Sequence, residues 1–186
     1  MLRNLAYGVG LVVALAATTA AQTLPWKEKY DDQSGEGGPA VTAGLDRPAR
    51  LYDMEWRLKD ITSGKPGASP TRPLPPRTRV VVVVFSVKPL TPAASRWFTD
   101  EPSGDCSVQV ADRSGRIWSP SFRTGVAPGP NKDGCKSAGG DLKPEPLAVG
   151  RERTVQKAFI VPQDAIAGLQ VEVRMPRRPG VVRMAR

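Results

Sequence analysis

A run of five consecutive valines followed by a phenylalanine constrains the fold of this chain more than any other stretch. It reads R-V-V-V-V-V-F-S-V-K from Arg79 to Lys88. β-Branched side chains lose rotamer freedom in a helix and pack well on a pleated sheet, so the run predicts a strand over Val80–Val87. Apolar residues at successive positions indicate that both faces of this strand are covered. Since a membrane helix needs about 20 apolar residues, the run predicts a central strand of a sheet.

Alternating apolar and polar residues predict further strands on both sides of this run. Between Arg50 and Lys59 every second position is apolar: Tyr52, Met54, Trp56 and Leu58. A helical interpretation through Leu51, Met54, Leu58 and Ile61 leaves Trp56 off the apolar face, so a strand fits better. The same reasoning predicts strands over Arg153–Val161 and Leu169–Met175. A further short strand is expected over Arg96–Thr99.

Residues 106–118 are predicted to form a β-hairpin. Cys106, Val108 and Val110 alternate with polar residues, and Arg116–Trp118 returns as the partner strand. The turn between them, Asp112–Gly115, combines an aspartate that can bond its own backbone with a glycine that tolerates positive φ. A calcium loop needs several acidic ligands at alternate positions, so Asp112 alone indicates a turn.

The glycines and prolines indicate an all-β domain. The chain has 18 glycines and 19 prolines in short clusters, which suit many turns and would break helix interiors. The proline-rich stretch over Thr62–Thr78 is interpreted as a stiff connector between two strands. Within it, Arg72–Pro76 matches the first part of a polyproline ligand for SH3 domains, which is the alternative interpretation.

The first 21 residues resemble a secretory signal. Met1–Asn4 is short and positively charged, Leu5–Ala17 is apolar and uncharged, and small residues follow at Thr19–Ala21. The apolar helix predicted over residues 5–21 has 17 residues, at the lower edge of what crosses a bilayer. A cleaved signal peptide and an uncleaved anchor therefore both remain open. The predicted location is the cell membrane, single-pass with an extracytoplasmic domain, or the medium after cleavage.

The rest of the chain divides into a spacer, a domain and a tail. Residues 22–45 combine low hydrophobicity with Gly, Ser and mixed charge, which predicts a flexible spacer. Residues 46–176 contain the predicted strands, and residues 177–186 form a basic tail with room for one short edge strand. Five arginines at this end are candidates for contact with anionic lipid or wall polymer, although a solvated basic end is equally compatible: Arg174, Arg177, Arg178, Arg183 and Arg186.

Histidine is absent, and this excludes whole classes of active site. Ser-His-Asp and Cys-His catalytic sets and His-ligated metal sites all require it. The two cysteines cannot form a four-thiolate zinc site either. We therefore expect no catalytic residue, no metal and no cofactor.

Cys106 and Cys135 are the candidate disulfide. Cys106 lies on a predicted strand, and Cys135 lies in a long loop over Arg123–Gly150 that is rich in Gly, Pro and Lys. Behind an export signal, two cysteines indicate one disulfide, which would stabilise the fold by about 3–4 kcal/mol in the chain-entropy model. The alternative is two free thiols in a chain that faces the cytoplasm.

Short strands with frequent turns and no amphipathic helix predict an antiparallel β-sandwich preceded by one apolar helix. Four segments carry a resemblance to a family: Val80–Val87, Val108–Pro120, Ala158–Pro162 and Leu169–Val173. Over about residues 50–176 the chain resembles a bacterial, actinobacterial-type, extracytoplasmic immunoglobulin-like domain of unknown function. The resemblance implies an immunoglobulin-like fold outside the membrane, behind a signal or anchor, and brings no catalytic residues. The lipobox cysteine of many relatives is absent here.

The expected function is that of an exported or membrane-anchored interaction module of the cell envelope. Its partner would be an envelope protein or an anionic polymer, and residues 5–21 would contact the membrane if they are not cleaved. The net charge of +9 also suits a nucleic-acid binder, but the positive residues are not interleaved with stacking aromatics, so no nucleic-acid partner is expected. A hydrolase that works without histidine is the third and least favoured class, since no G-x-S-x-G or S-x-x-K motif is present.

Overall fold

The structure, a computed structural model, describes residues 38–64, 73–98, 105–126, 132–138, 144–175 and 178–186. The predicted leader over residues 1–21, the spacer up to residue 37, residues 65–72 of the proline-rich connector and Arg177 lie outside the described residues.

The described residues form β-strands of two to twelve residues, with little helix. The strands, in chain order, are β1 (Ala40–Ala43), β2 (Ala49–Leu51), β3 (Met54–Gly64), β4 (Thr78–Pro89), β5 (Ser107–Ala111), β6 (Ile117–Trp118), β7 (Ser137–Ala138), β8 (Pro144–Glu145), β9 (Arg153–Pro162), β10 (Gln170–Arg174) and β11 (Val181–Met184). The helical elements are α1 (Pro92–Arg96) and two 3₁₀ helices (Phe122–Thr124 and Gln163–Gly168).

The strands form two main sheets that share one hydrophobic core, so the domain is a β-sandwich. One sheet has the order β1-β11-β10-β5-β6 and the other has the order β2-β3-β4-β9, while β7 and β8 form a separate ribbon. Buried side chains from both sheets belong to the same cluster. The predicted all-β sandwich is confirmed at this level.

Strand β4 contains the valine run and lies between β3 and β9, antiparallel to both. On its inner face Val81, Val83 and Phe85 are completely buried. On its outer face Val82 and Val84 are half-buried. The prediction of a central strand at Val80–Val87 is confirmed.

Strand β3 confirms the alternation at its centre and corrects its beginning. Met54, Trp56 and Leu58 face the core and are fully buried, as predicted. Tyr52, which was predicted to belong to this strand, instead lies in the turn between β2 and β3, where Tyr52 and Asp53 have φ values of 53° and 58°. A β-bulge between Leu58 and Asp60 then shifts the register by one residue, so that the next buried position follows three residues later.

The sandwich extends beyond both predicted domain boundaries. Strand β1 lies within the predicted spacer and pairs in parallel with β11, and Ala43 is 2% exposed. Strand β11 lies within the predicted tail, but it is an internal strand between β1 and β10 rather than an edge. Val182 and Met184 on β11 are buried in the core. Strand β1 was assigned to the spacer because it is four residues long and its partner β11 is distant in sequence. For β11 the sequence predicted room for one short edge strand; the strand is present, and it pairs with the nearby β10 as well as with β1.

The short strand predicted over Arg96–Thr99 is wrong. The preceding residues form α1, because the hydroxyl of Thr91 accepts the Ala94 N–H at 3.2 Å and a proline begins the helix. Phe98, which follows α1, is 1% exposed and packs in the core. Within the described ranges, no helix has the length and apolar character that a membrane crossing requires.

Substitution of one inner valine of β4 should cost much more stability than substitution of its outer neighbour. Val83→Ala is expected to lower the free energy of unfolding by about 2–3 kcal/mol, because buried methyl groups are lost and a cavity remains. Val84→Ala, on the half-buried face, should cost less than about 1 kcal/mol. Chemical denaturation of both full-length variants measures the difference. Equal costs would contradict the assignment of the inner face.

Candidate functional site

A disulfide closes one end of the sandwich. Cys106 directly precedes β5 and Cys135 lies in the loop before β7, with an S–S distance of 1.99 Å. The structure therefore contains the predicted Cys106–Cys135 bridge, which ties the long loop to the sheet.

The carboxylate of Asp105 organises the backbone around this bridge. One of its oxygens, Oδ1, accepts N–H bonds from Cys106 at 2.8 Å, from Cys135 at 2.7 Å and from Lys136 at 3.2 Å. Asp105 and the two cysteine sulfurs also lie within 4.8 Å of one another, which resembles a metal-binding group. Because both sulfurs are in the disulfide, neither is a thiolate ligand, and the group holds the loop rather than a metal.

Two basic side chains of β9 hold the other side of the same loop. The Nε of Arg153 donates to the Gly134 carbonyl at 2.8 Å, and its Nη2 lies 3.5 Å from the Asp133 carboxylate. Lys157 donates to the Asp133 carbonyl. Burial lowers the pKa of Arg153, although Asp133 and Asp105 oppose this shift. Inward-facing charges on an edge strand also discourage pairing with a further strand, so these residues protect the edge of β9.

The structure brings two of the predicted surface arginines together on a carboxylate. Glu172 of β10 is 9% exposed and accepts bonds from Gln109 at 2.8 Å and from Arg183 at 3.2 Å, and its other neighbour is Arg174 at 3.5 Å. Desolvation acts to raise the pKa of Glu172, but the bonds from Gln109 and Arg183 and the charges of Arg174 and Arg183 outweigh it and lower the pKa. Arg174 and Arg183 thus stabilise the outer face of their sheet.

A third predicted arginine packs on aromatic rings at the disulfide end. The guanidinium carbon of Arg178 lies 4.4 Å from the ring centroid of Trp97 and 5.7 Å from that of Tyr52. The two rings meet edge to face with centroids 5.9 Å apart, and the Tyr52 hydroxyl donates to the Pro179 carbonyl. This cation–π stack helps to hold Tyr52 in its left-handed conformation.

The four predicted arginines that the structure describes therefore do not form one patch. Arg178 precedes β11 and Arg186 follows it, so the strand separates them. Arg174 and Arg183 lie on the sheet face between these ends.

Arg186 instead lines a cleft at the opposite end of the sandwich. The disulfide lies at the start of β5. The cleft lies at the end of β5, because residues 112 and 113, which follow this strand, are part of the cleft wall. The cleft has a volume of about 410 Å³. We call it the arginine cleft and define it by six lining residues: Ser63, Arg113, Ile166, Leu169, Gln170 and Arg186.

The hairpin turn positions Arg113 at the cleft. Asp112 Oδ1 accepts the N–H groups of Ser114 at 2.9 Å and of Arg116 at 3.0 Å, and Gly115 adopts φ 82°. The side chain of Arg113 lies across Gly168, where an added Cβ would be 3.2 Å from the Arg113 Cγ. A glycine at this position therefore permits the close approach of the arginine.

The charges at this end leave two cations available for a ligand. Arg116 forms ion pairs with Asp112 at 2.7 Å and with Asp164 at 2.9 Å. Desolvation acts to raise the pKa of Asp112, but hydrogen bonds from Ser114 and Arg116 lower it to about 2, so the pair is ionised at neutral pH. In the part of the chain that the structure describes, Arg113 and Arg186 take part in no ion pair. An anionic group is what these two guanidinium groups would bind.

Sequence reasoning found Arg186 but missed Arg113 and the apolar walls of the cleft. Arg113 was interpreted only as part of a turn. Ile166 and Leu169 meet the end of β3 only because the chain crosses between the sheets after β9. The one local signal for Arg113 was its position beside Asp112, but the Asp112 carboxylate is already bonded within the turn.

Comparison with solved structures finds distant likenesses. A conserved hypothetical protein from Bacillus anthracis aligns with 11% identity and a TM-score of 0.46, covering 71% of this chain and 88% of its own. The yjhA protein from Bacillus subtilis aligns with 7% identity and a TM-score of 0.40, covering 70% and 78%. An uncharacterized β-sandwich protein from Clostridium difficile 630 aligns with 7% identity and a TM-score of 0.39, covering 80% and 97%. No family model and no curated protein matches the chain.

The Glu172 cluster should make part of the stability dependent on pH. Its folded-state pKa lies below the ordinary value of 4.5, so the stabilisation is present above pH 4.5 and is lost as the pH falls through the lower folded-state value. Glu172→Gln should therefore flatten the loss of unfolding free energy between neutral pH and pH 3. Denaturation curves across this range measure the effect. Asp46→Asn, which removes an exposed carboxylate, is the control, and an equal flattening in both variants would contradict the assignment.

Proposed function

We propose that the chain is a non-catalytic interaction module of the bacterial cell envelope, exported or anchored through residues 1–21. The observation that carries the binding role is the arginine cleft, where Arg113 and Arg186 line a concave surface and form no ion pair among the described residues, since Asp112 of the same wall pairs with Arg116. Concave sites with a few polar groups over apolar walls are the usual form of a ligand site.

The disulfide supports a location outside the cytoplasm. Structural disulfides form and persist in oxidising compartments, and Cys106 and Cys135 lie behind a segment that resembles a signal. Under this proposal the anchor interpretation of residues 5–21 places the sandwich on the outer side of the membrane, and the cleavage interpretation releases it.

The strand order supports the immunoglobulin-like assignment, which is also part of the proposal. Strands β3-β4-β9 follow the A-B-E order of such domains, and strands β5-β10-β11 follow the C-F-G order. The chain changes sheet between β4 and β5 and again between β9 and β10, as it does in that fold. The disulfide differs, since it joins the start of β5 to a loop rather than one sheet to the other.

The two other function classes receive less support. For a nucleic-acid binder, the basic tail would have to offer a continuous surface, but Arg174 and Arg183 pair with Glu172, and Arg178 and Arg186 lie at opposite ends of β11. For a hydrolase, a nucleophile would need an activating base, and the ion-paired Asp112 and the N–H-bonded Asp105 are committed to structure.

Localisation and thiol state test this proposal in one preparation. The full-length chain, expressed in a bacterium with an export pathway, should be recovered from the membrane or the medium, because the leader directs it there. Alkylation before and after reduction, read by mass spectrometry, should modify Cys106 and Cys135 only after reduction. Cys135→Ser leaves one free thiol and is the positive control for alkylation. A soluble cytosolic chain with both thiols alkylated without reduction would overturn the proposal.

A further inference from the structure

We infer that the arginine cleft binds the carboxyl terminus of a partner polypeptide, with its free carboxylate on the arginines and its last apolar side chains against the cleft wall. This rests on the proposed role as an interaction module and names the chemistry of the partner. The inference depends on three features of the described residues: the unpaired guanidinium groups, the local charge balance and the mixed lining of the cleft.

The two arginines provide the recognition of the anionic group. A planar guanidinium matches a carboxylate with two parallel N–H bonds, and such charge-assisted bonds are stronger than neutral ones. Arg113 is held across Gly168 and Arg186 lines the same cleft. In the described part of the chain neither arginine forms an ion pair with an acid, since Asp112 and Asp164 both pair with Arg116.

The local charge balance favours one anionic group over a polyanion. A second hollow of about 390 Å³ adjoins the cleft, shares Arg113 with it and is walled by Arg116 and Asp164. The charged side chains that line the two hollows are three arginines and two aspartates, which sum to a net charge of +1. A polymer with a charge at every repeat would bring several anions close to Asp112 and Asp164. A ligand with a single carboxylate avoids this repulsion.

The mixed lining favours a peptide over a hydrocarbon chain. Ile166 and Leu169 offer apolar surface, while Ser63 and Gln170 lie at the ends of strands and offer hydrogen-bonding side chains. A peptide carries amide groups for these polar groups as well as apolar side chains for the wall. A hydrocarbon chain would leave the polar groups without partners, which costs free energy. Capture of a carboxyl terminus is a known mode of peptide recognition.

A matched pair of peptides tests the inference. The probe is a fluorescein-labelled Gly-Ser-Gly-Ala-Val-Leu with a free carboxyl terminus, and its control is the same peptide with a terminal amide. Fluorescence anisotropy with the full-length chain in lipid nanodiscs should show about tenfold tighter binding of the acid, because the amide removes the charged acceptor. Arg113→Gln and Arg186→Gln should each abolish this preference. Arg151→Gln removes an exposed arginine at the disulfide end and should keep it.

A further variant separates loss of the arginine from loss of its position. Gly168→Ala keeps both charges but places a Cβ against the Arg113 side chain, so it should weaken binding of the acid several-fold and leave the amide unaffected. Circular dichroism checks that each variant remains folded.

Each remaining outcome overturns the inference. Equal binding of acid and amide, or no binding of either, removes the carboxylate role. An equal loss of the preference for the acid peptide in Arg151→Gln would show that the preference depends on net charge and not on the cleft. Competition by octanoate but not by the unlabelled peptide assigns the carboxylate to a lipid instead. All of these results would leave the proposed location and disulfide untouched, since those are tested by fractionation and alkylation.

Discussion

The packing of β4 between β3 and β9 is the interaction on which the rest of the structure depends. Its inner face supplies Val81, Val83, Phe85 and Val87, all completely buried, to the core between the sheets. The pairing runs over ten register positions with β9 and nearly the whole of β3, so this sheet is a stable base. The other sheet is assembled from shorter strands and is held mainly through burial against it.

The two ends of this sandwich differ in how they are closed. At one end the disulfide, the Asp105 carboxylate and Arg153 fix the loop, and Arg178 packs on Trp97 and Tyr52. At the other end a hairpin turn and a 3₁₀ helix surround the arginine cleft. The disulfide and the Asp105 hydrogen bonds fix the loop at the first end. At the second end Arg113 and Arg186 line a concave surface. The proposed binding role therefore lies at the end without the covalent link.

Local patterns predicted those parts of the fold that local physics determines. The valine run, the Met54–Leu58 alternation and the Asp112 turn each carry their structural reason within a few residues, and all three are present. The bulge at Lys59 explains why a helical spacing from Leu58 to Ile61 also existed in the sequence: both residues face the core on either side of one extra residue. Trp56, which is buried and which a helix would leave off its apolar face, distinguished the strand from a helix, whereas the Leu58–Ile61 spacing alone did not.

Non-local pairing explains what could not be predicted. Strand β1 gains its burial from a parallel pairing with β11 at the other end of the described chain, so its four residues looked like part of a spacer. Strand β11 pairs with the nearby β10 as well, but only the distant β1 makes it an internal strand. The candidate arginines are close together in sequence, yet β11 sends Arg183 to the sheet face and separates Arg178 from Arg186. The cleft arises from five separate segments, and no single one of them has a recognisable motif.

Hydrogen–deuterium exchange of the full-length chain, with and without the free-carboxylate peptide, tests the central claim most directly. The account predicts slower exchange around residues 112–116, 163–170 and 183–186, which surround the arginine cleft, and unchanged exchange around residues 105–109 and 132–138 at the disulfide end. Protection at the disulfide end, or protection that the terminal amide peptide produces equally, would contradict the assignment of the binding site to the cleft.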